Sequence, residues 1–206
     1  MAKKVAYVTG GMGGIGTAIC QRLAKEGFTV IAGCGPTRDW QKWLDEQKAL
    51  GYSFHASVGN VADWDSTVAA FTKAREAHGP IDVLVNNAGQ AQTAPFLKMD
   101  LALWHQMLSV NLTGTLVCTQ AVLPGMVARG WGRVVNVAST AGQVGYAYVS
   151  AYCAAKHGVV GLTKALALEL ARKGVTVNAI CPGYTETDIV RDAVQNIVSK
   201  TGKSEA

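Results

Sequence analysis

The chain has 206 residues, is 49% hydrophobic and 16% charged, and carries a formal net charge of +5. That length suits one domain with a substantial core, and the composition excludes a disordered chain. No basic run exceeds two residues, as at Lys3-Lys4, which excludes the clustered basic face a nucleic-acid partner requires.

Val5-Ala6-Tyr7-Val8-Thr9 is short, β-rich and closed by glycines, and predicts a first strand. Gly14 to Glu26 follows with Ile15, Ile19 and Leu23 at helical spacing. Thr29 to Ala32 predicts a second strand, Asp39 to Leu50 a helix, and Phe54 to Val58 a third strand. Asp63 to His78 is a helix with Asp63 as its N-cap. After the strand Ile81 to Asn86, Leu101 to Arg129 forms one long helical region, expected to bend near Asn111 and Pro124. The strand Arg133 to Ala138, the helix Ser150 to Arg172 and the strand Thr176 to Cys181 complete the series. Continuous apolar strands alternating with helices predict the α/β class, with a doubly wound parallel sheet of about six strands in three layers. Residues 1–206 are expected to form one domain, with ligand sites at the carboxyl ends of the strands.

The five cysteines show no CxxC spacing, so neither a disulfide framework nor a metal site is expected, and a reducing cytoplasm fits. The N-terminus MAKKVAYVTGG runs straight into a strand pattern, and no run of about 18 uninterrupted apolar residues occurs. The expectation is a cytoplasmic protein without a membrane partner.

Between the first strand and the first helix, Thr9-Gly10-Gly11-Met12-Gly13-Gly14-Ile15-Gly16 holds five glycines within seven positions. Glycines there let the backbone approach a pyrophosphate, and the helix N-terminus offers free N–H groups. GxGxxG (Gly11, Gly13, Gly16) and TGxxxGxG (Gly10, Gly14, Gly16) are both possible registers. Either predicts dinucleotide contacts from Gly10, Gly11, Met12, Gly14, Ile15 and Gly16. The second strand ends Ala32-Gly33-Cys34-Gly35-Pro36-Thr37-Arg38, with no carboxylate before Asp39 to accept from a ribose hydroxyl. Arg38 is placed to meet a 2′-phosphate, which favours NADP(H) over NAD(H).

Tyr152 and Lys156 are four apart inside the predicted helix Ser150 to Arg172 and so share a face. An adjacent ammonium would lower the tyrosine pKa, making Tyr152 an acid or base for a carbonyl or alcohol. Ser139 follows the fifth strand, where its hydroxyl can hold the oxygen that Tyr152 protonates. Asn111 inside a helix signals a backbone distortion or a buried water.

At these residues the chain resembles the short-chain dehydrogenase/reductases, from Val5 to about Val190. Asn86-Asn87-Ala88-Gly89 is similar to that family's NNAG motif, Asn111, Ser139, Tyr152 and Lys156 to its catalytic tetrad, and Pro182-Gly183 with Thr187 to its nicotinamide-side motif. The resemblance implies a Rossmann-type fold, with cofactor contacts from Asn87, Ala88, Gly89, Tyr152, Lys156, Pro182, Gly183 and Thr187. It implies that Lys156 also binds the nicotinamide ribose and that Asn111 holds a relay water. Asn60-Val61 would lie at adenine where many members have Asp-Val, with the asparagine bonding the adenine amine.

The stretches from GGMGGIGTAICQRLAKEGF through GNVADWDST resemble acetoacetyl-CoA reductases, while VNVASTAGQVGYAYVSAYCAAKHG resembles hydroxyacyl-CoA dehydrogenases and polyketide-type ketoreductases. The implied activity is NADPH-dependent reduction of a 3-oxoacyl thioester, with Ser139, Tyr152, Gln143 and Tyr184 toward the substrate. An NAD-linked 3-hydroxyacyl-CoA dehydrogenase or another carbonyl reductase is the alternative within enzymes. Members continue into a further strand, which a chain ending at Ala206 would lack; a non-catalytic cofactor-binding module is therefore also open. Ala154, Ala155, Gly158 and Gly161, with Leu162, Leu166 and Leu170, suggest a close helix contact, and the family implies a homodimer through the fifth and sixth long helices.

Overall fold

The computed structural model describes residues 3–185. The strands are β1 (Val5–Val8), β2 (Thr29–Cys34), β3 (His55–Val58), β4 (Ile81–Asn86), β5 (Gly132–Val137) and β6 (Val175–Ile180). They form one sheet in the order β3-β2-β1-β4-β5-β6, with every pair parallel. The helices are α1 (Gly14–Lys25), α2 (Trp40–Ala49), α3 (Trp64–His78), α4 (Leu101–Leu108), α5 (Gly114–Ala128) and α6 (Ser150–Leu170).

The continuous apolar strands are explained by burial on both faces. In β1, Val5 and Tyr7 join a core with Phe71 of α3, Cys118 and Met126 of α5, and Leu170 of α6. Ala6 and Val8 point the other way, into a core with Cys20 of α1 and Trp43 of α2. Three layers result, as the sequence predicts. The chain winds outward from β1 through β2 to β3 on one side, then crosses back to β4 beside β1 and outward to β6 on the other. Such a reversal opens a crevice at the carboxyl ends of the central strands.

Local caps set the helix starts. Asp39 accepts from the Lys42 N–H at 3.1 Å and Asp63 from the Ser66 N–H at 2.7 Å. Asp100 does the same for α4, accepting from the Leu103 N–H at 2.8 Å.

The long helical region is not one helix. A π-helical turn, Ser109–Thr113, separates α4 from α5 and carries Asn111. The expected distortion is therefore present at Asn111. Pro124 lies inside α5, which continues to Ala128. The carbonyl that loses its partner there belongs to Gln120, which is exposed. Leu101–Ala128 is the one stretch among the described residues long and apolar enough to cross a bilayer. It packs along the sheet, where Thr115, Thr119 and Asn111 are buried.

The small-residue stripe on α6 divides. A Cβ at Gly158 would meet Leu112 Cδ2 of the same chain at 2.8 Å, and Leu166 and Leu170 pack into the sheet core. Gly161 has open space around it, and Leu168 is 81% exposed. Spacing alone merged an internal contact with an external face.

Candidate active site

One cavity of about 540 Å³ runs across the carboxyl ends of the strands, and its middle is the glycine loop. Thr9 fastens that loop. Its hydroxyl accepts from the N–H groups of Asn87 and Ala88, each at 2.9 Å, and Asn87 Nδ2 donates to the carbonyls of Thr9 and Gly10, each at 3.0 Å. Gly10 has φ +62, and a Cβ on it would lie 2.9 Å from Ala88 Cα. A Cβ at Gly16 would collide with the Gly10 carbonyl and sit 2.8 Å from Asn87 Nδ2. These contacts select the TGxxxGxG register. Gly11, which the sequence places among the cofactor contacts, does not line the cavity. It donates to the Gly33 carbonyl at 3.0 Å and packs on Ala32 and Cys20, so its lack of a side chain serves the layer below. Two overlapping motifs cannot be separated in sequence; packing on β2 separates them. Helix α1 starts from Gly13 with no side-chain cap, leaving its first N–H groups for an anion.

At one end of the cavity, Asn111, Ser139, Tyr152 and Lys156 converge from three segments, the last two both on α6. Lys156 is 4% exposed, and its Nζ donates to the Val137 carbonyl at 2.8 Å. Ser139 Oγ accepts from the Ala141 N–H at 3.1 Å as it caps a short 3-10 turn. Asn111 Nδ2 donates to the carbonyls of Gln90 and Met107, each at 2.9 Å, and its Oδ1 accepts from the Gln90 N–H at 3.2 Å. The amide therefore grips the backbone after β4 by donor and acceptor together. The π turn brings that side chain to the Gln90 backbone while it keeps a bond to its own helix.

The other end is lined by Cys34, Gly35, Arg38, Gly59, Asn60, Val61, Ser57, Thr67, Tyr7 and Phe71. Arg38 is exposed and makes no ion pair among the described residues. The predicted Asn60, Val61, Asn87, Ala88, Gly89, Pro182 and Gly183 also line the cavity, as do Met12, Gly14 and Ile15. Thr187 lies outside the described residues. Gln143 and Tyr184, expected to touch substrate, do not line it. Tyr184 is 82% exposed and meets Tyr146 edge-on, with ring centroids 6.2 Å apart, on the surface nearby. Sequence reasoning missed Thr9 as a clamp and Tyr7, Phe71 and Gln90 as lining. A threonine ending an apolar strand before glycine was a signal for the first; nothing local marks the others.

A family model described as short chain dehydrogenase matches residues 4–197. The chain belongs to the short-chain dehydrogenase family. It is 54% identical over 201 residues to an acetoacetyl-CoA reductase of Cupriavidus necator, covering 97% of this chain and 82% of that one. It is 51% identical over 191 residues to nodulation protein G of Azospirillum brasilense, covering 92% and 78% of the two. A crystal structure of an actinorhodin polyketide ketoreductase variant with NADPH superposes with a TM-score of 0.93 at 40% identity. The match covers 99% of this chain and 80% of that one.

In this short-chain dehydrogenase, burial pushes the Tyr152 phenol above its ordinary pKa, and a hydrogen bond with Ser139 opposes the rise. The lowering by Lys156 that the sequence predicts does not dominate. Burial weakens the lysine's own charge, pulling its pKa from 10.5 to about 8, and Nζ lies 5.6 Å from the Tyr152 ring centroid. At neutral pH the phenol keeps its proton and Lys156 its charge.

Because the folded Lys156 pKa lies below the unfolded one, the unfolded chain binds the extra proton between about pH 8 and 10.5. Stability from this group is lowest below pH 8 and rises with pH across that window. Lys156→Met removes the effect. Its stability relative to wild type is expected to fall by on the order of 3 kcal/mol from pH 8 to 10.5. Urea melts of both proteins across that range check it; parallel curves would refute the burial penalty.

Proposed function

We propose that this short-chain dehydrogenase is a cytoplasmic NADPH-dependent reductase of 3-oxoacyl thioesters such as acetoacetyl-CoA. The supporting observation is one cavity that joins Ser139, Tyr152 and Lys156 at one end to Arg38 at the other through a glycine cradle. A dinucleotide fits that cradle because Met12, Gly14 and Ile15 line the cavity and the first N–H groups of α1 carry no side-chain cap. The α1 N-terminus would hold the pyrophosphate, Lys156 the ribose beside Tyr152, and Arg38 a 2′-phosphate. The names of the relatives support the acyl substrate class.

A nicotinamide held there would supply the hydride for the 3-keto carbon. Tyr152, protonated at neutral pH, donates its proton to the ketone oxygen. Ser139 Oγ, on the same oxygen, fixes its position. Lys156 spends one N–H on Val137 and keeps two for sugar hydroxyls, and its charge stabilises the phenolate that remains. Asn111 acts through the Gln90 backbone, holding the loop after β4 in place. Residues 1–206 act as one domain, and the assembly is a homodimer through α5 and α6, where Leu116 and Leu168 leave apolar surface exposed.

The test follows nucleotide absorbance with acetoacetyl-CoA, using NADPH and NADH in parallel. Turnover is expected to be faster with NADPH. Arg38→Ala should raise KM for NADPH about tenfold or more while leaving NADH nearly unchanged, as for the loss of one charge-assisted phosphate contact. No turnover with either nucleotide, or a preference unaltered by the substitution, would refute the substrate or the phosphate contact respectively.

A further inference from the structure

Behind the reacting end, and not lining the cavity, a line of buried polar side chains crosses from α5 through two strands to α6. Asn86 of β4 and Asn136 of β5 are register partners, and Asn86 Nδ2 donates to Asn136 Oδ1 at 2.9 Å. On one side Asn86 Nδ2 also donates to Thr119 Oγ1 of α5 at 3.0 Å. On the other, Asn136 Nδ2 donates to Thr163 Oγ1 of α6 at 2.8 Å. Asn136 is 1% exposed and Thr163 6%.

The direction of every bond in this line is set from its ends. Thr119 donates to the Thr115 carbonyl and Thr163 to the Val159 carbonyl, each at 2.7 Å. A carbonyl only accepts, so each hydroxyl has spent its one hydrogen and can only accept from the sheet. Thr163 thereby turns the Asn136 amide, and Asn136 turns the Asn86 amide. Asn86 uses both Nδ2 hydrogens, and its Oδ1 is left buried without a partner among the described residues. An unpaired buried oxygen is costly, and apolar side chains of the same shape would avoid that cost. Stability alone does not account for the arrangement.

What α6 carries does account for it. Thr163 follows Lys156 by two helical turns, on the same face. Adjacent residues of β5 hold both of them: the Asn136 side chain takes Thr163, and the Val137 carbonyl takes Lys156 Nζ at 2.8 Å. The same strand end leads into Ser139, which lines the cavity with Tyr152. Helix α6 is therefore pinned at two heights to the strand that delivers Ser139. We propose that Thr163 is a positioning residue for the reacting end: through Asn136 it fixes α6 along β5, and so keeps Lys156 on the Val137 carbonyl and Tyr152 beside Ser139. Its consequence for turnover rests on the reductase proposal above; the placement of Lys156 does not.

The test compares Thr163→Val, which keeps the shape and removes the hydroxyl, with Thr163→Ser, which keeps the hydroxyl. The first measurement is an NMR titration of the Lys156 ε-carbon in protein carrying isotope-labelled lysine, without nucleotide or substrate, assigned by its loss in Lys156→Met. Burial holds the wild-type midpoint at about 8. A helix free to slip lets water reach Nζ, so the Thr163→Val midpoint is expected to rise by about half a pH unit or more, and the Thr163→Ser midpoint by less than half as much. The second measurement is kcat with acetoacetyl-CoA per folded protein, expected to fall about tenfold in Thr163→Val with KM within about twofold, and to be restored by serine. A smaller midpoint rise, a fall in kcat below about threefold, or failure of serine to rescue would each overturn the proposal. A lowered melting temperature with midpoint and kcat unchanged would assign Thr163 to stability only and overturn it too. Should Thr163→Val not fold, Thr163→Ala against Thr163→Ser isolates the hydroxyl under the same thresholds. Absence of turnover in wild type would refute the substrate proposal alone, and the NMR titration would then decide this one.

Discussion

Tyr152→Phe is expected to lower kcat with acetoacetyl-CoA about a thousandfold, within the range for losing a positioned acid. Only the hydroxyl is removed. The ring keeps its place on α6, and Lys156 remains bonded to Val137. NADPH affinity should therefore stay within about twofold, since an interaction needed only in the transition state has been lost. Calorimetric titration beside single-turnover absorbance separates the two quantities. Residual turnover above about a tenth of wild type would remove Tyr152 from the role of proton donor, the expected loss being at least a hundredfold. A parallel loss of affinity would instead point to a disrupted α6.

Gly16→Ala is expected to abolish NADPH binding and destabilise the fold, although it adds a single methyl group. The new carbon would enter the Gly10 carbonyl and crowd Asn87 Nδ2 and Gly11 Cα. The donors of Asn87 that hold Thr9 and Gly10 would have to move, and with them the cradle. Overpacking of this kind costs about 1–3 kcal/mol or more. Affinity should fall by about a hundredfold or beyond, because α1 can no longer approach the phosphates. Gly13→Ala is the control: its Cβ would lie 3.5 Å from the Gly10 oxygen, an ordinary contact, and φ there is −74. Near-native binding by Gly13→Ala and none by Gly16→Ala would assign the effect to geometry. Equal behaviour of the two would contradict the packing of the loop.

The two variants touch features of different legibility. Gly16 and Tyr152 belong to short motifs whose spacing has a local meaning: a strand–turn–helix that needs bare backbone, and a helix turn that aligns i and i+4. Asn111 was legible in part. A polar, turn-favouring residue within an apolar helix marked a distortion, and the π turn is there. Its grip on Gln90 was not legible, because a separation of 21 positions leaves the meeting to tertiary packing. Tyr152 shows the same limit in its electrostatics. Spacing placed Lys156 beside it, but the direction of the pKa shift depends on burial, which the layers above and below decide.

The sequence by itself determined the kinds and order of the elements, the parallel sheet, the glycine loop and the shared helix face of Tyr152 and Lys156. These follow from periodicity and from backbone chemistry acting over a few residues. Tertiary structure decided which glycines face the cavity, which part of α6 is internal, and what Asn111 grips. Each of those turns on one atom's nearest neighbour across a gap in the chain: Ala32 against Gly11, Leu112 against Gly158, and the Gln90 backbone against the Asn111 amide. Close packing and hydrogen-bond satisfaction settle such contacts, and both are properties of the assembled layers.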